Sequence, residues 1–236
     1  MLGALNVKIG SGIFIFGYQG GKALGNLSKR TAQRLVKCYY LAREARALGV
    51  EFITSSKVAL LLGVDETQIR KDMASVNLEG VPRKGYPVEE IINRLEDVFG
   101  LRKDRNAVLV GTGNLGRALL NYPGFSRYGV RIVGAFDKDP QKYGREVGGV
   151  WVYPVGELKE KAKDLEACLG IIAVPPREAQ GVADVLVEAG VEGIWNFSPA
   201  LIRVPARIAL RNECLESGLV MLLHEMEVMK KSLAGD

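Results

Sequence analysis

Cysteine and histidine are scarce: the 236 residues contain three cysteines, Cys38, Cys168 and Cys214, and one histidine, His224. The cysteines lie far apart and form no CxxC pair, so neither a disulfide framework nor a zinc ribbon is written here. A single histidine excludes the His-rich constellations of zinc and iron enzymes. No apolar run approaches the about 18 residues that cross a bilayer. Near the start, Ile13-Phe14-Ile15-Phe16 stands between glycines, too short for a signal-peptide core and with little basic leader beyond Lys8. These absences predict a cytoplasmic protein. Residues 1–27 hold seven glycines without a period, and read as a poorly ordered extension or a start placed too early.

What is present is 47% hydrophobic residues, enough for a globular core, and a net charge of +5 that is unevenly placed. Residues 1–105 carry 17 Lys and Arg against 11 Asp and Glu, a surplus of six, whereas residues 106–236 carry 15 against 16. A basic half suggests an anionic partner for that half, nucleic acid in the first place, although a merely solvated basic face has the same composition.

The chain is organised around Asn106–Asp139. Ala107–Val110 has the character of a buried strand. Gly111-Thr112-Gly113-Asn114-Leu115-Gly116 follows at once, helical spacing takes over at Leu115, Ala118 and Leu119, and Arg131–Phe136 makes a second strand ending at Asp137. In a dinucleotide site Gly111 permits the tight turn, Gly113 lets a pyrophosphate reach the backbone, and Gly116 brings helix and strand close. The helix N-terminus offers free N–H groups to the phosphates. Asp137 would accept from an adenosine ribose hydroxyl and repel a 2′-phosphate, favouring NAD over NADP, a preference that Lys138 blurs. The same glycines would also suit a sheet in which they only pack the helix, or a coenzyme A site.

Before this stretch, Ser28 caps a helix over Lys29–Leu48, and Thr54-Ser55-Ser56 cap a short one over Lys57–Leu62. A third covers Glu66–Val76. With Gly63 in the turn, the pattern is helix-turn-helix. Thr67, Gln68, Arg70 and Lys71 lie near the start of the third helix, where such motifs touch base edges. Glycines then flank Pro82-Arg83-Lys84 as at a hairpin tip, so Arg83 and Lys84 would reach a minor groove or phosphates. A small helical bundle with a basic face is the plainer alternative. Pro87 starts a further helix to Phe99, and Leu101–Arg105 is a charged linker.

Beyond Asp137 the strands Val150–Tyr153, Leu169–Val174 and Gly193–Asn196 alternate with helices over Val155–Leu165 and Arg177–Ala189. Ile208–Leu210 is a possible last strand. Such alternation predicts a doubly wound parallel sheet, with Val174-Pro175 and Asn196-Phe197 at strand ends where a nicotinamide would rest. A pocket of Val174, Pro175, Phe197 and Tyr122 without a carboxylate would penalise the charged, oxidised ring. Residues 215–233 form an amphipathic helix with too little chain left to cover it, which predicts an interface. The expected layout is therefore an extension (1–27), a winged helix (28–100), a Rossmann NAD(H) unit (101–213) and a dimerisation helix (214–236).

This order of parts resembles the Rex family of redox-sensing transcriptional repressors over about residues 29–233. The residues that carry the resemblance are Ser55-Ser56, Gln68-Ile69-Arg70-Lys71-Asp72, Gly85-Tyr86-Pro87-Val88, Gly111–Gly116, Asn121-Tyr122-Pro123-Gly124-Phe125, Phe136-Asp137-Lys138-Asp139-Pro140, Val174-Pro175 with Arg177-Glu178-Ala179, and Asn196-Phe197-Ser198-Pro199. The resemblance implies a homodimer on palindromic operator DNA, a terminal helix exchanged between subunits, and release from DNA when NADH replaces NAD⁺. Two segments and two single positions depart from the family pattern. Met73-Ala74 is followed by Ser75-Val76-Asn77, and the wing reads Gly80-Val81-Pro82-Arg83-Lys84-Gly85-Tyr86. At positions that the family links to its switch, Cys214 replaces an acidic residue and Tyr40 an arginine, with Glu213 and Arg43 as neighbouring substitutes. A small NAD-dependent dehydrogenase is the alternative from another class. It is disfavoured because only 37 residues follow Pro199 and because Ser126 stands where a Tyr122-based catalytic pair would need lysine.

Overall fold

The computed structural model describes residues 27–234. The expectation for the glycine-rich start falls almost wholly on residues 1–26, outside the described residues. The described residues form two compact units, one built from 27–104 together with 123–130, the other from 105–122 and 131–234.

In the first unit α1 (Lys29–Ala47) begins where the Ser28 hydroxyl accepts the Thr31 amide. Its buried face is Leu35, Cys38, Tyr39, Ala42 and Ala45. A two-residue strand, β1 (Phe52–Ile53), leads to α2 (Ser55–Leu62), capped by Thr54 and closed by Gly63 in the left-handed region. α3 (Glu66–Ser75) starts at Asp65, whose carboxylate accepts the Thr67 amide at 2.7 Å. β2 (Tyr86–Pro87) pairs antiparallel with β1, Ile53 opposite Tyr86, and α4 (Val88–Phe99) follows. Pro87 is thus the cap of α4 and part of the sheet, rather than the first helical residue. The wing between α3 and β2 is closed by a Val81–Gly85 bridge. At Gly85, with φ +95°, a Cβ would sit 2.6 Å from the Ile53 carbonyl oxygen, so only glycine lets the hairpin base cross β1.

One buried ion pair locks the helices. Asp72, 2% exposed, accepts from Arg34 Nε at 2.5 Å and Nη2 at 2.8 Å, and from Gln68 Nε2 at 2.9 Å. Arg34 is on α1, so the carboxylate pins α3 to α1 and turns the opposite side of α3 outward. Ile69 and Met73 pack into a core with Leu35, Ile91, Ile92 and Leu95.

The second unit runs β3 (Arg105–Val110), α5 (Asn114–Leu120), β4 (Val130–Asp137), β5 (Glu146–Val147), β6 (Val150–Pro154), α6 (Leu158–Asp164), β7 (Ala167–Ile172), α7 (Pro176–Ala189), β8 (Gly193–Asn196), β9 (Ala209–Asn212) and α8 (Leu215–Ala234). The seven-stranded sheet has the order β5-β6-β4-β3-β7-β8-β9. The pairs β4–β6, β3–β7, β7–β8 and β8–β9 are parallel, and β5 runs antiparallel to its neighbour β6. The strand order reverses between β3 and β7, which places a crevice beyond their C-terminal ends. The sheet bears out the expected doubly wound class. β5 was not foreseen: its two residues are joined to β6 by Gly148-Gly149, both at positive φ, a hairpin turn of the primed type. The final strand lies at Ala209–Asn212, one to two residues later than expected.

Val108, Val110, Phe136, Ile172, Ala183, Leu186 and Ile194 form the core of this unit, with α6 and α7 packed on each other. α8 is different. Leu219, Leu222, Leu223, Met226 and Met229 are all exposed on it.

Asp72→Ala leaves Arg34 without its buried counter-charge and Gln68 without its acceptor. It should lower the unfolding free energy by about 3 kcal/mol, with Asp72→Asn intermediate. Urea denaturation followed by circular dichroism measures this. A loss below about 1 kcal/mol, the range of a surface pair, would contradict the locking role.

Candidate functional site

Two sites take shape, one in each unit. In the first, a cavity of about 450 Å³ is lined by Ser55 and Ser56 from α2, Glu66 and Arg70 from α3, and Val81, Pro82, Arg83 and Tyr86 from the wing. Arg70, Lys71, Arg83 and Lys84 are exposed, while Asp72 points inward. Ser56 is exposed and bonds Thr54, and Ser55 is buried, bonding Glu66 and Arg70. Lys84 Nζ lies 5.4 Å from the centre of the Phe52 ring. Arg83 is exposed at the hairpin tip, with its backbone in the left-handed region at φ +65°.

Two expected readers are otherwise engaged. The Gln68 amide donates one hydrogen to Asp72, which draws it towards the inner side of α3. The backbone amide of Thr67 donates to Asp65, and its hydroxyl holds the Asp65 carboxyl below its usual range, so Thr67 serves first to start the helix. Lys71 is exposed, and Arg70, also exposed, is held on one edge by Ser55 and Glu66. Glu66 was not singled out from the sequence, although its place four residues before Arg70 is the spacing of a helical ion pair.

In the second unit, the turn Gly111–Gly116 leaves β3 and enters α5. A Cβ on Gly111 would strike the backbone of Ala173, and one on Gly116 the carbonyl of Gly111, so both positions require glycine. Gly113 faces open space, and α5 begins there without a side-chain cap. Its first amides, at Asn114 and Leu115, are therefore available to an anion, and this backbone fits a pyrophosphate. Leu115 is half-buried and the Asn114 side chain accepts from Arg117, so neither side chain is needed for that contact.

Asp137 closes the far side. Its Oδ2 accepts the Thr112 amide at 2.8 Å, the Thr112 hydroxyl at 2.6 Å and Lys142 Nζ at 2.9 Å, and its Oδ1 accepts the Asp139 amide at 3.0 Å. Burial alone would push its pKa up. The Thr112 hydroxyl, the Lys142 ammonium and the two amides together outweigh that and hold the carboxyl well below the usual range. It stays a carboxylate, with Oδ1 carrying a single protein bond. Lys142 went unnoticed in the sequence because its role depends on the turn after β4.

A cavity of about 240 Å³ joins Gly111, Gly113, Asp137, Lys138, Lys142, Val155, Val174, Pro175 and Glu178. Lys138 is paired with Glu178 at 2.5 Å. The space beside Val174 and Pro175, expected to lack a carboxylate, opens towards Asp137 and is lined by two, Asp137 and Glu178. Tyr122 and Phe197 do not line it. Phe197 stacks on Trp195 with ring centres 4.7 Å apart, and Tyr122 is largely exposed. Asn196 is fully buried, and its amide donates to the Ser198 and Ala200 carbonyls and to Asn212, while its own oxygen accepts the Ser198 amide. These bonds shape the chain after β8.

At the switch positions, Tyr40 is 54% exposed, and its phenol is pushed up to about 12 by its hydrogen bond with Tyr128 and then by burial. Arg43 donates to the Tyr128 hydroxyl at 3.0 Å, and Glu213 accepts from Arg211 at 2.7 Å and Trp195 at 3.3 Å. Both neighbouring substitutes are already held within the chain. Among the described residues no cluster could hold a metal ion, and no helix is long and apolar enough to cross a membrane.

The fold and these two sites define a class: a winged-helix protein that carries a Rossmann-type nucleotide-binding unit. Comparison with known proteins narrows it. Residues 26–74 match the family described as putative DNA-binding protein N-terminus, and residues 102–200 the CoA binding domain. The redox-sensing transcriptional repressor Rex of Treponema denticola is 36% identical over 81% of this chain and 91% of its own. That of Desulfitobacterium hafniense is 42% identical over 74% and 83%. A crystal structure of RSP with β-NAD⁺ and operator DNA superposes with a TM-score of 0.80 at 32% identity, covering 89% of this chain and 98% of that one. RSP with β-NADH gives 0.79 at 33%, covering 87% and 98%. The chain belongs to the Rex family of redox-sensing transcriptional repressors. Its relatives are named as repressors, not dehydrogenases, which sets the enzyme alternative aside.

Because Asp137 both orders the glycine turn and faces the cavity, Asp137→Ala should weaken NADH binding by about 1–3 kcal/mol. Thr112→Val should weaken it in the same direction. Since the folded carboxyl titrates below its unfolded value, its contribution to stability is complete above about pH 4 and is lost as the pH falls further. Calorimetry at neutral pH with unchanged affinity in the Asp137 variant would rule out its role.

Proposed function

We propose that the protein binds operator DNA as a homodimer through α3 and the wing, binds NAD⁺ or NADH at the Gly111–Gly116 turn, and leaves DNA when NADH replaces NAD⁺. The observation that carries this reading is the pairing in one chain of an outward basic face, Arg70, Lys71, Arg83 and Lys84, with a glycine turn whose open Gly113 and ordered Asp137 fit a dinucleotide. It is supported by relatives solved with NAD⁺ plus operator DNA and with NADH. A DNA-bound repressor acts in the cytoplasm.

The adenosine would lie between Asp137 and the apolar side chains of Val155, Val174 and Pro175. Asp137 would accept a ribose hydroxyl through Oδ1. Lys138 and Lys142 do not offer a ready site for a 2′-phosphate, since Glu178 and Asp137 already neutralise them. This favours NAD over NADP. The two oxidation states differ by one positive charge on the nicotinamide ring, and only a ligand that prefers one arrangement of the protein can shift its binding to DNA. The exposed apolar row Leu219, Leu222, Leu223, Met226 and Met229 on α8 is the natural dimer seam. Charged residues at Leu219 and Leu223 should yield monomers in sedimentation, and a dimer that survives them would defeat this seam.

Lys71→Ala should weaken operator binding and lower the salt slope by about one unit without altering NADH affinity. Normal operator binding at several salt concentrations would remove α3 as the reader. Coupling is expected to be weak, because Cys214 and Tyr40 supply no charge and Glu213 and Arg43 are engaged. Saturating NADH should lower operator affinity less than a hundredfold, and the Tyr40→Arg, Cys214→Asp double variant should widen the difference. A larger ratio in the natural chain would overturn that expectation.

A further inference from the structure

An acidic side chain stands on the face that meets DNA. Glu66 opens α3 and lines the same cavity as the wing. A carboxylate there repels phosphates and lowers affinity for DNA of any sequence. Its bonds suggest what offsets that cost. Arg70 Nη2 donates to Glu66 Oε1 at 2.5 Å, Arg70 Nε donates to the Ser55 hydroxyl at 3.2 Å, and that hydroxyl donates to the same Glu66 oxygen at 2.7 Å. The three groups close a ring. Ser55 is buried at the start of α2, so the ring is anchored to a fixed element rather than to another mobile side chain.

The chemistry of this ring is directional. A guanidinium has five N–H donors in a flat fork. Ser55 and Glu66 take Nε and one hydrogen of Nη2. The outer edge, Nη1 with the second Nη2 hydrogen, is then the edge left for a ligand. Two parallel N–H groups on one edge match O6 and N7 of guanine, and a side chain already fixed in that pose loses less freedom on binding. A phosphate contact requires no such fixation, since a free arginine reaches phosphate oxygens from many angles.

We propose that Glu66 and Ser55 are positioning residues that hold Arg70 in a single pose to read one guanine of the operator. The inference rests on the operator-binding reading above. Glu66 trades general DNA affinity for sequence discrimination, and Arg70 supplies specificity where Lys71 supplies affinity.

The test starts from an operator selected out of random duplex DNA by the natural protein. Affinities are then measured by fluorescence anisotropy for that operator, for versions with each guanine replaced in turn, and for a scrambled duplex. At one guanine the natural protein should discriminate by about tenfold or more. Arg70→Ala should abolish that discrimination at that position alone. Glu66→Ala should reduce it at least about fivefold, while binding to the scrambled duplex stays equal or strengthens. Glu66→Gln removes the same charge but keeps an acceptor, so it should match Glu66→Ala on scrambled DNA and retain more discrimination. Ser55→Ala should act in the same direction as Glu66→Ala. Unchanged circular dichroism and NADH affinity verify the fold. Full discrimination in Glu66→Ala, or Gln and Ala variants that discriminate equally, would overturn the proposal and leave operator binding intact. So would a natural protein with no Arg70-dependent guanine. If the natural protein enriches no sequence, operator binding falls and this proposal with it.

Discussion

The second unit depends on a steric constraint at one turn. β3 runs into α5 through a backbone so close to itself and to the end of β7 that neither Gly111 nor Gly116 can carry a Cβ. That closeness puts the uncapped first amides of α5 over the crevice where the strand order reverses. The turn would still be loose without an anchor, and Asp137 provides it by accepting both the amide and the hydroxyl of Thr112. One carboxylate thus orders the glycine turn and lines the cavity beside it. Its low pKa follows from the same bonds, so it remains charged across the physiological range.

The DNA-facing unit uses acidic residues in two opposite ways. Asp72 is buried and draws Arg34 and Gln68 inward, fixing the inner side of α3. Glu66 lies on the outer side and touches Arg70. Consecutive residues therefore divide the work, with Arg70 and Lys71 outside and Asp72 inside, a consequence of helical spacing alone. The wing then rests on Gly85, whose missing side chain lets the hairpin base cross β1.

Much of this was legible in the sequence because its signals are local. Ser28, Thr54 and Asp65 cap helices at the positions their types suggest, and Gly63 and Gly100 end them. The glycine turn and Asp137 were likewise readable by spacing. What was not legible is the direction that folding gives a side chain. Gln68 is drawn to Asp72, one turn along the helix, and Asp72 is itself fixed by Arg34, 38 residues away. The acceptors of Asn196 at Ala200 and Asn212 are likewise set by the loop after β8 and by β9. Val174 and Pro175 were placed at the right edge of the sheet, but the carboxylates Asp137 and Glu178 beside them were not foreseen, since sequence gives a strand's end and not the direction in which its crevice opens. β5 was invisible because two residues between glycines carry no periodicity.

The central claim is that occupancy of the glycine turn by the reduced or the oxidised dinucleotide sets the affinity of the winged helix for DNA. The most direct measurement holds total NAD(H) constant and saturating, varies the NADH/NAD⁺ ratio, and follows binding to a selected operator. Operator affinity should fall steadily as the ratio rises, and Asp137→Ala should shift or flatten that dependence. Affinity that is the same at every ratio, with both dinucleotides shown to bind by calorimetry, would contradict the account.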